Sequence, residues 1–240
     1  MNGMFYGVGV GPGDPELITL KGYRVLREAD VICSPRANAA KESVALSIAG
    51  SLLTEKQKIL ELLFPMTRDK TELELCWNQA TSQIINLLKE GKKVAFITLG
   101  DPTLYSTYTY VLKKIRQAGS YEVETIPGIT SFCACAAAAG IPVAEGEEKL
   151  AIIPAVKDLS ALRSVLQNFE NVVLMKVAGK YNEVLEILEE LDLKDKAVYA
   201  SQCGFPDGFL KRNLDELKET KKDYLSLMIV KKGKSNTWTG

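Results

Sequence analysis

The apolar positions of the chain fall into two rhythms that alternate along its length. Short runs rich in β-branched and aromatic residues predict strands over Phe5 to Val10, Val31 to Cys33, Lys58 to Phe64, Val94 to Leu99 and Tyr121 to Ile126. The run Val94 to Leu99 reads as a strand buried on both faces. Between the runs the spacing becomes helical, over about Thr19 to Ala29, Ser43 to Ala49 and Lys70 to Glu90, and again from Asp101 to about Gln117. In the third of these helices Leu73, Cys76, Trp77, Ala80, Ile84, Leu87 and Leu88 form the apolar stripe. That stripe places Trp77 in a core, and Gly91 ends the helix. Strand and helix alternating in this way predict an α/β fold.

Three of the predicted strands empty into loops rich in glycine and proline: Gly9-Val10-Gly11-Pro12-Gly13-Asp14, Leu99-Gly100-Asp101-Pro102 and Ile126-Pro127-Gly128-Ile129-Thr130-Ser131. In an open α/β sheet the carboxyl ends of the strands are where small molecules bind, because loops there meet helix N-termini. Asp101 suits the N-cap of the following helix, with Pro102 in its first position, and equally suits a direct contact to a ligand. Thr130 or Ser131 can cap the alanine-rich helix expected over Phe132 to Ala139. The first loop is not a dinucleotide fingerprint. Counting GxGxxG from Gly7 meets Pro12, counting from Gly9 meets Asp14, and the second strand ends in Ser34-Pro35-Arg36 without the ribose-binding acid. Its glycines serve a tight turn as readily as a ligand.

Gly140-Ile141-Pro142 and the charged Glu145-Gly146-Glu147-Glu148-Lys149 predict a boundary, so 1–145 reads as one α/β domain and 146–240 as a second. In the second, Leu150 to Pro154, Val172 to Val177, Ala197 to Ser201 and Tyr224 to Val230 predict strands. Helices are expected near Leu159 to Asn168 and Tyr181 to Leu191, with a hairpin at Asp207-Gly208 and a frayed tail from Lys231.

Composition narrows the chemistry. Lys and Arg total 30 against 30 Asp and Glu, so no global field favours nucleic acid and any anionic ligand must be held locally. No apolar stretch approaches a bilayer span, and the N-terminus lacks the basic flank and cleavage pattern of a signal peptide, which leaves a cytoplasmic protein as the expectation. Cys33, Cys76, Cys133, Cys135 and Cys203 are odd in number without CxxC spacing, and read as buried free thiols rather than a disulfide framework or zinc site. The chain has 0 histidines, which removes the commonest general base, the commonest metal ligand and every Ser-His or Cys-His arrangement.

The three loops, taken together and in this order, resemble the tetrapyrrole methyltransferase family, which uses S-adenosylmethionine to methylate corrin and sirohaem precursors. The motifs are Val8-Gly9-Val10-Gly11-Pro12-Gly13-Asp14-Pro15-Glu16-Leu17, Leu99-Gly100-Asp101-Pro102-Thr103-Leu104-Tyr105-Ser106 and Ile126-Pro127-Gly128-Ile129-Thr130-Ser131-Phe132, and the likeness covers nearly the whole chain. Ser34-Pro35-Arg36, Phe64-Pro65-Met66-Thr67-Arg68-Asp69 and Ala144-Glu145-Gly146-Glu147-Glu148-Lys149-Leu150 resemble most the subgroup acting at C20 of precorrin-2 or cobalt-factor II. Ser34-Pro35-Arg36 departs from that subgroup's Val-Pro-Lys loop while keeping a basic residue.

The resemblance implies two α/β domains with S-adenosylmethionine folded into the cleft between them, S-adenosylhomocysteine as product, a homodimer, and no protein-bound metal. It implies cofactor contacts at Pro12, Leu99, Gly100, Asp101, Leu104, Thr130 and Ser131 in the first domain, and at Met175, Gln202 and Cys203 in the second. Asp101 is the one candidate for a catalytic role. Because such a substrate carries many carboxylate arms, Arg36, Lys41 and Arg68 are candidate substrate contacts, though any one such residue is more often a solvated surface charge. Methyl transfer to an electron-rich ring carbon needs no side-chain nucleophile, so a chain without histidine can perform it. Two other readings stay open: a methylase for another ring carbon in the corrin or sirohaem pathway, and a non-catalytic nucleotide-binding module, for which the chain lacks a P-loop lysine.

Overall fold

The computed structural model describes residues 3–38, 40, 42–67, 69–154, 157–218 and 222–233. The chain divides into two compact units, one ending at Thr130 and the next beginning at Ser131. The charged segment 145–149, expected at the boundary, lies inside the second unit.

The first unit holds strands β1 (Met4–Gly9), β2 (Val31–Arg36), β3 (Lys58–Leu63), β4 (Lys93–Thr98) and β5 (Glu122–Ile126). Helices α1 (Leu20–Glu28), α2 (Val44–Ala49), α3 (Lys70–Lys89) and α4 (Tyr108–Ala118) connect them. The sheet runs β3-β2-β4-β1-β5 and every pairing is parallel, as the strand and helix alternation predicts. Phe5, Phe96 and Tyr108 share a core with Ile84 and Leu88 of α3 and Val111 and Ile115 of α4. Val8, on the other side of β1, meets α1 at Gly22. The loop leaving β1 therefore leads to one face of the sheet and the loop leaving β4 to the other. Since β1 and β4 are neighbours, their carboxyl ends form the topological switch point at which open sheets take ligands.

The second unit starts with α5 (Ser131–Ala138) and adds β6 (Leu150–Ile153), α6 (Leu159–Asn168), β7 (Asn171–Met175), α7 (Tyr181–Glu190), β8 (Ala197–Ser201), β9 (Phe209–Lys211) and β10 (Ser226–Lys231). Its sheet runs β6-β7-β10-β8-β9, parallel between β6 and β7 and antiparallel elsewhere. β8 and β9 do pair as an antiparallel hairpin, but the whole connection 202–208 separates Ser201 from Phe209, so Asp207-Gly208 lies at the end of that connection and is not a two-residue turn. Leu162 and Leu166 of α6, with Val184, Leu185 and Leu188 of α7, cover Val172, Leu174, Tyr199 and Met228.

Three sequence expectations change. The tail does not fray at Lys231, which ends β10 with a side chain only 8% exposed, its Nζ lying 2.9 Å from Glu148 and 3.0 Å from Glu145. Trp77 is half-buried and stacks on the exposed Tyr110 of α4 at a ring separation of 4.3 Å, so it seals the edge of the core rather than its centre. All five cysteines are free, but only Cys33 and Cys135 are buried; Cys76 and Cys203 are half-buried, and Cys133, on the outward face of the short α5, is exposed. Among the described residues no helix is long and apolar enough to cross a membrane.

Candidate functional site

At the carboxyl edge of the first sheet the backbone of two loops is stitched together. Val10 donates its N–H to the Thr98 carbonyl at 2.9 Å, and Gly11 and Gly100 exchange two hydrogen bonds, at 3.3 and 2.7 Å, in an isolated antiparallel bridge. The bridge requires Gly11 at φ +76° and Gly100 at φ +69°, which side-chain-bearing residues rarely adopt. The third loop closes on the other two. A Cβ on Gly128 would lie 2.1 Å from the Gly100 carbonyl oxygen, and one on Gly9 would lie 2.7 Å from Gly128 Cα, so only glycine permits this approach.

Asp101 fastens the arrangement. Its Oδ1 accepts from the Thr103 N–H at 2.8 Å and the Thr103 hydroxyl at 2.5 Å, while Oδ2 accepts from the Gly128 N–H at 2.9 Å. The helix expected to start at Asp101 begins only at Tyr108, behind an N-cap Thr107 that makes no side-chain bond. The reason is local: the Asp101 carboxylate is taken up by Thr103 and the third loop, and Tyr105 at φ +50° interrupts any helical path. The far leg of the loop is anchored by buried hydroxyls. Thr98 Oγ1 and Ser106 Oγ lie 2.8 Å apart, and Ser106 Oγ accepts from the Tyr108 N–H at 3.1 Å.

Of the site residues expected from sequence, Pro12, Leu99, Gly100, Asp101, Leu104 and Thr130 all fall on these three adjoining loops. The Thr130 hydroxyl is buried with no hydrogen-bond partner, so it does not cap α5. Ser131 opens α5 and belongs to the second unit.

In the second unit the structure brings together residues that lie far apart in sequence. Met175 ends β7, and Gln202 follows β8. Lys176 donates its N–H to the Ser226 carbonyl at 2.7 Å, and Gln202 donates to the Leu225 carbonyl at 2.8 Å. Both segments thus flank the first residues of β10, with Lys176 at φ +54° and Gln202 at φ +47°. The strand expected over Tyr224 to Val230 contains both acceptors, Leu225 and Ser226, but its antiparallel pairing between β7 and β8 leaves no local signal in the sequence. Cys203 is half-buried, and a hydrogen bond with the Cys135 thiol lowers its pKa, an effect opposed by burial.

The basic candidates are placed less favourably. Arg36 ends β2 with Nη1 on Glu61 at 2.9 Å, so its guanidinium is already paired across the β2–β3 ladder. Lys41 and Arg68 lie outside the described residues. Among the described residues no group of three His, Cys, Asp or Glu side chains gathers as a metal site.

The family model for tetrapyrrole (corrin/porphyrin) methylases matches residues 4–218. A probable cobalt-precorrin-2 C(20)-methyltransferase of Methanocaldococcus jannaschii is 41% identical over 234 residues, covering 95% of this chain and 96% of that one. A cobalt-precorrin-2 C(20)-methyltransferase of Salmonella typhimurium is 35% identical over 97% of this chain and 98% of its own. Among solved structures, a uroporphyrin-III C-methyltransferase of Thermus thermophilus complexed with S-adenyl homocysteine shares the fold, with a TM-score of 0.66 at 20% identity over 95% of this chain and 97% of that one.

Proposed function

Because this chain belongs to the tetrapyrrole (corrin/porphyrin) methylases, we propose that it transfers a methyl group from S-adenosylmethionine to C20 of precorrin-2 in its cobalt form, a step of cobalamin biosynthesis. The observation that carries this reading is likeness along the whole chain, at 41% and 35% identity, to two proteins named for that reaction.

The residues present fit the cofactor. An unpartnered buried hydroxyl on Thr130 stands on the third of three loops whose glycines keep the backbone bare of side chains. We assign the cofactor to Pro12, Leu99, Gly100, Asp101, Leu104 and Thr130 in the first unit, and to Ser131, Met175, Gln202 and Cys203 in the second. When bound, S-adenosylmethionine supplies an electrophilic methyl group on a positively charged sulfur. The protein's part is placement. Interlocked loops define one position for a ligand, and holding two reactants in attack geometry can contribute roughly 7 to 11 kcal/mol. The apolar side chains Leu99, Leu104 and Met175 exclude water, which favours a step in which charge disperses. Asp101 acts as a positioning residue, setting the second loop against the third through Gly128. Arg36 is proposed as a contact for substrate carboxylates, exchanging or sharing its Glu61 partner. A homodimer in the cytoplasm is proposed on the family resemblance alone, and sedimentation would read the first part directly.

Incubation with S-adenosylmethionine and either cobalt-precorrin-2 or the metal-free ring tests the reaction. The expected result is S-adenosylhomocysteine release with the cobalt form and a new methyl at C20 by NMR of the product. A methyl at another carbon would reassign the position, and no methylation of either ring would overturn the proposal.

A further inference from the structure

Two of the free thiols meet within the second unit. Cys135 lies on the inner face of α5 with 1% exposure, and Cys203 lies half-buried in the connection between β8 and β9. The two share a hydrogen bond, although β6, β7 and β8 separate them in the chain. Their supports are fixed on both sides. Ala139 donates its N–H to the Cys135 carbonyl at 2.8 Å, and Arg212, just past β9, reaches the Ala139 carbonyl with Nη2 at 3.1 Å, so α5 is tied to the hairpin that carries Cys203. Gln202 donates its N–H to the Leu225 carbonyl at 2.8 Å, and its own carbonyl accepts the Phe205 N–H at 2.9 Å, which closes a turn around Cys203. The thiols are therefore anchored neighbours.

The surroundings of the two sulfurs differ. The hydrogen bond with Cys135 lowers the Cys203 pKa against the opposing effect of burial, while the same bond, with burial, raises that of Cys135. Cys203 is thus the sulfur that reaches the thiolate form first, at a half-open position, and Cys135 keeps its proton behind it. Neither neighbouring type of thiol matches this. Cys33 is enclosed, and burial pushes its thiol up to about 12, which leaves it inert. Cys133 is exposed but points to the opposite side of α5 from Cys135.

We propose that Cys135 and Cys203 form a redox modification site, which a small hydroperoxide converts to a disulfide that weakens cofactor binding at the turn after β8. The Cys203 thiolate attacks the outer peroxide oxygen and the O–O bond breaks. The departing oxygen takes up the proton that Cys203 had released and leaves as water or an alcohol, and Cys203 becomes a sulfenic acid. The Cys135 sulfur then attacks the Cys203 sulfur, the S–O bond breaks, and the released hydroxide takes the Cys135 proton and leaves as water. Two thiols have lost two electrons and one hydroperoxide has gained them. A disulfide brings its sulfurs to about 2 Å, closer than hydrogen-bonded thiols stand, so the turn at Gln202-Cys203 is drawn toward α5 and the Cys203 contact to the cofactor is lost. That last effect rests on the reading of the protein as a methylase, whereas the disulfide does not.

The reduced full chain is treated with hydrogen peroxide, remaining thiols are alkylated and mapped by peptide mass, and S-adenosylhomocysteine affinity is read by calorimetry before and after. The expected result is a chain lighter by two hydrogens, with Cys135 linked to Cys203 and Cys133 still open to alkylation. Affinity should fall at least about tenfold, and dithiothreitol should reverse both changes. Cys135→Ala should form no link and should instead carry a dimedone adduct at Cys203, whose sulfenic acid has lost its resolving thiol. A link through Cys133, or no link at all in the unaltered chain, overturns the proposal whether or not the variant folds. A Cys135–Cys203 link that leaves affinity within about twofold overturns the control of cofactor binding. If the reduced chain binds no S-adenosylhomocysteine, the methylase reading fails, while the peptide map still decides the disulfide.

Discussion

Both carboxylate oxygens of Asp101 are engaged by neighbouring donors, which makes its side chain a brace between two loops. Asp101→Ala would leave the Gly128 N–H without its partner while removing nothing from the apolar core. The expected outcome is a folded protein destabilised by about 1 to 2 kcal/mol, with most methyl transfer lost, measured by chemical denaturation and by S-adenosylhomocysteine release. Full turnover in that variant would remove Asp101 from the site. Gly128→Ala acts differently, because its Cβ would stand 2.1 Å from a backbone oxygen that cannot rotate away. The loops must separate, and cofactor affinity measured by calorimetry should fall by at least about tenfold, corresponding to 1.4 kcal/mol or more of displaced packing. At this scale the sequence was half legible. The glycines advertised a tight turn, but the bridge between Gly11 and Gly100 joins residues far apart in the chain, and only pairing of β1 with β4 brings them together. Arg36 shows the limit from the other side, since nothing local to Ser34-Pro35-Arg36 announces Glu61 on the adjacent strand.

At the scale of elements, hydrophobic spacing located the strands and most helices because it reflects burial directly. It failed where a specific hydrogen bond overrode it. Leu104, Tyr108, Val111, Leu112 and Ile115 have helical spacing, yet the helix starts at Tyr108 because Asp101 binds its own turn and the third loop. The end of β10 is a second such case. Lys231 looks like the start of a charged tail, but its ammonium is enclosed by Glu145, Glu148 and Asn171. Hydrogen bonds from Lys231, Asn171 and the Glu145 N–H hold the Glu148 carboxyl at a pKa of about 2. A carboxyl depressed on folding stabilises fully above its ordinary value of 4.5, and that contribution disappears as pH falls through about 2. Unfolding midpoints of the unaltered chain should therefore drop between those pH values more than those of Glu148→Gln, compared by calorimetry across the range. In the first unit, Tyr108→Phe removes the hydroxyl that reaches Thr125 across β1. A stability loss of about 1 kcal/mol is expected by urea denaturation, with the ring packing retained.

For the whole molecule, the chain divides into two compact units. A ligand that binds only the folded chain stabilises it by about 2.7 kcal/mol at a hundredfold excess over its dissociation constant. S-adenosylhomocysteine should accordingly raise the unfolding midpoint by about 5 to 10 °C, whereas ATP and NADPH should leave it in place. A shift with ATP alone would favour the nucleotide-binding module. The sequence by itself determined the α/β class, the order of the elements, the absence of imidazole chemistry and the three loops whose motifs carry the family likeness. These are properties of burial periodicity and local turn chemistry, which a chain displays along its length. Only the tertiary structure decided that Asp101 holds Gly128, that Met175 and Gln202 flank one end of β10, that Lys231 is enclosed and that Tyr105 turns left-handed with its ring exposed. Each of those depends on pairing or anchoring between residues distant in sequence, and such partners are chosen by the folded sheet rather than by neighbours along the chain.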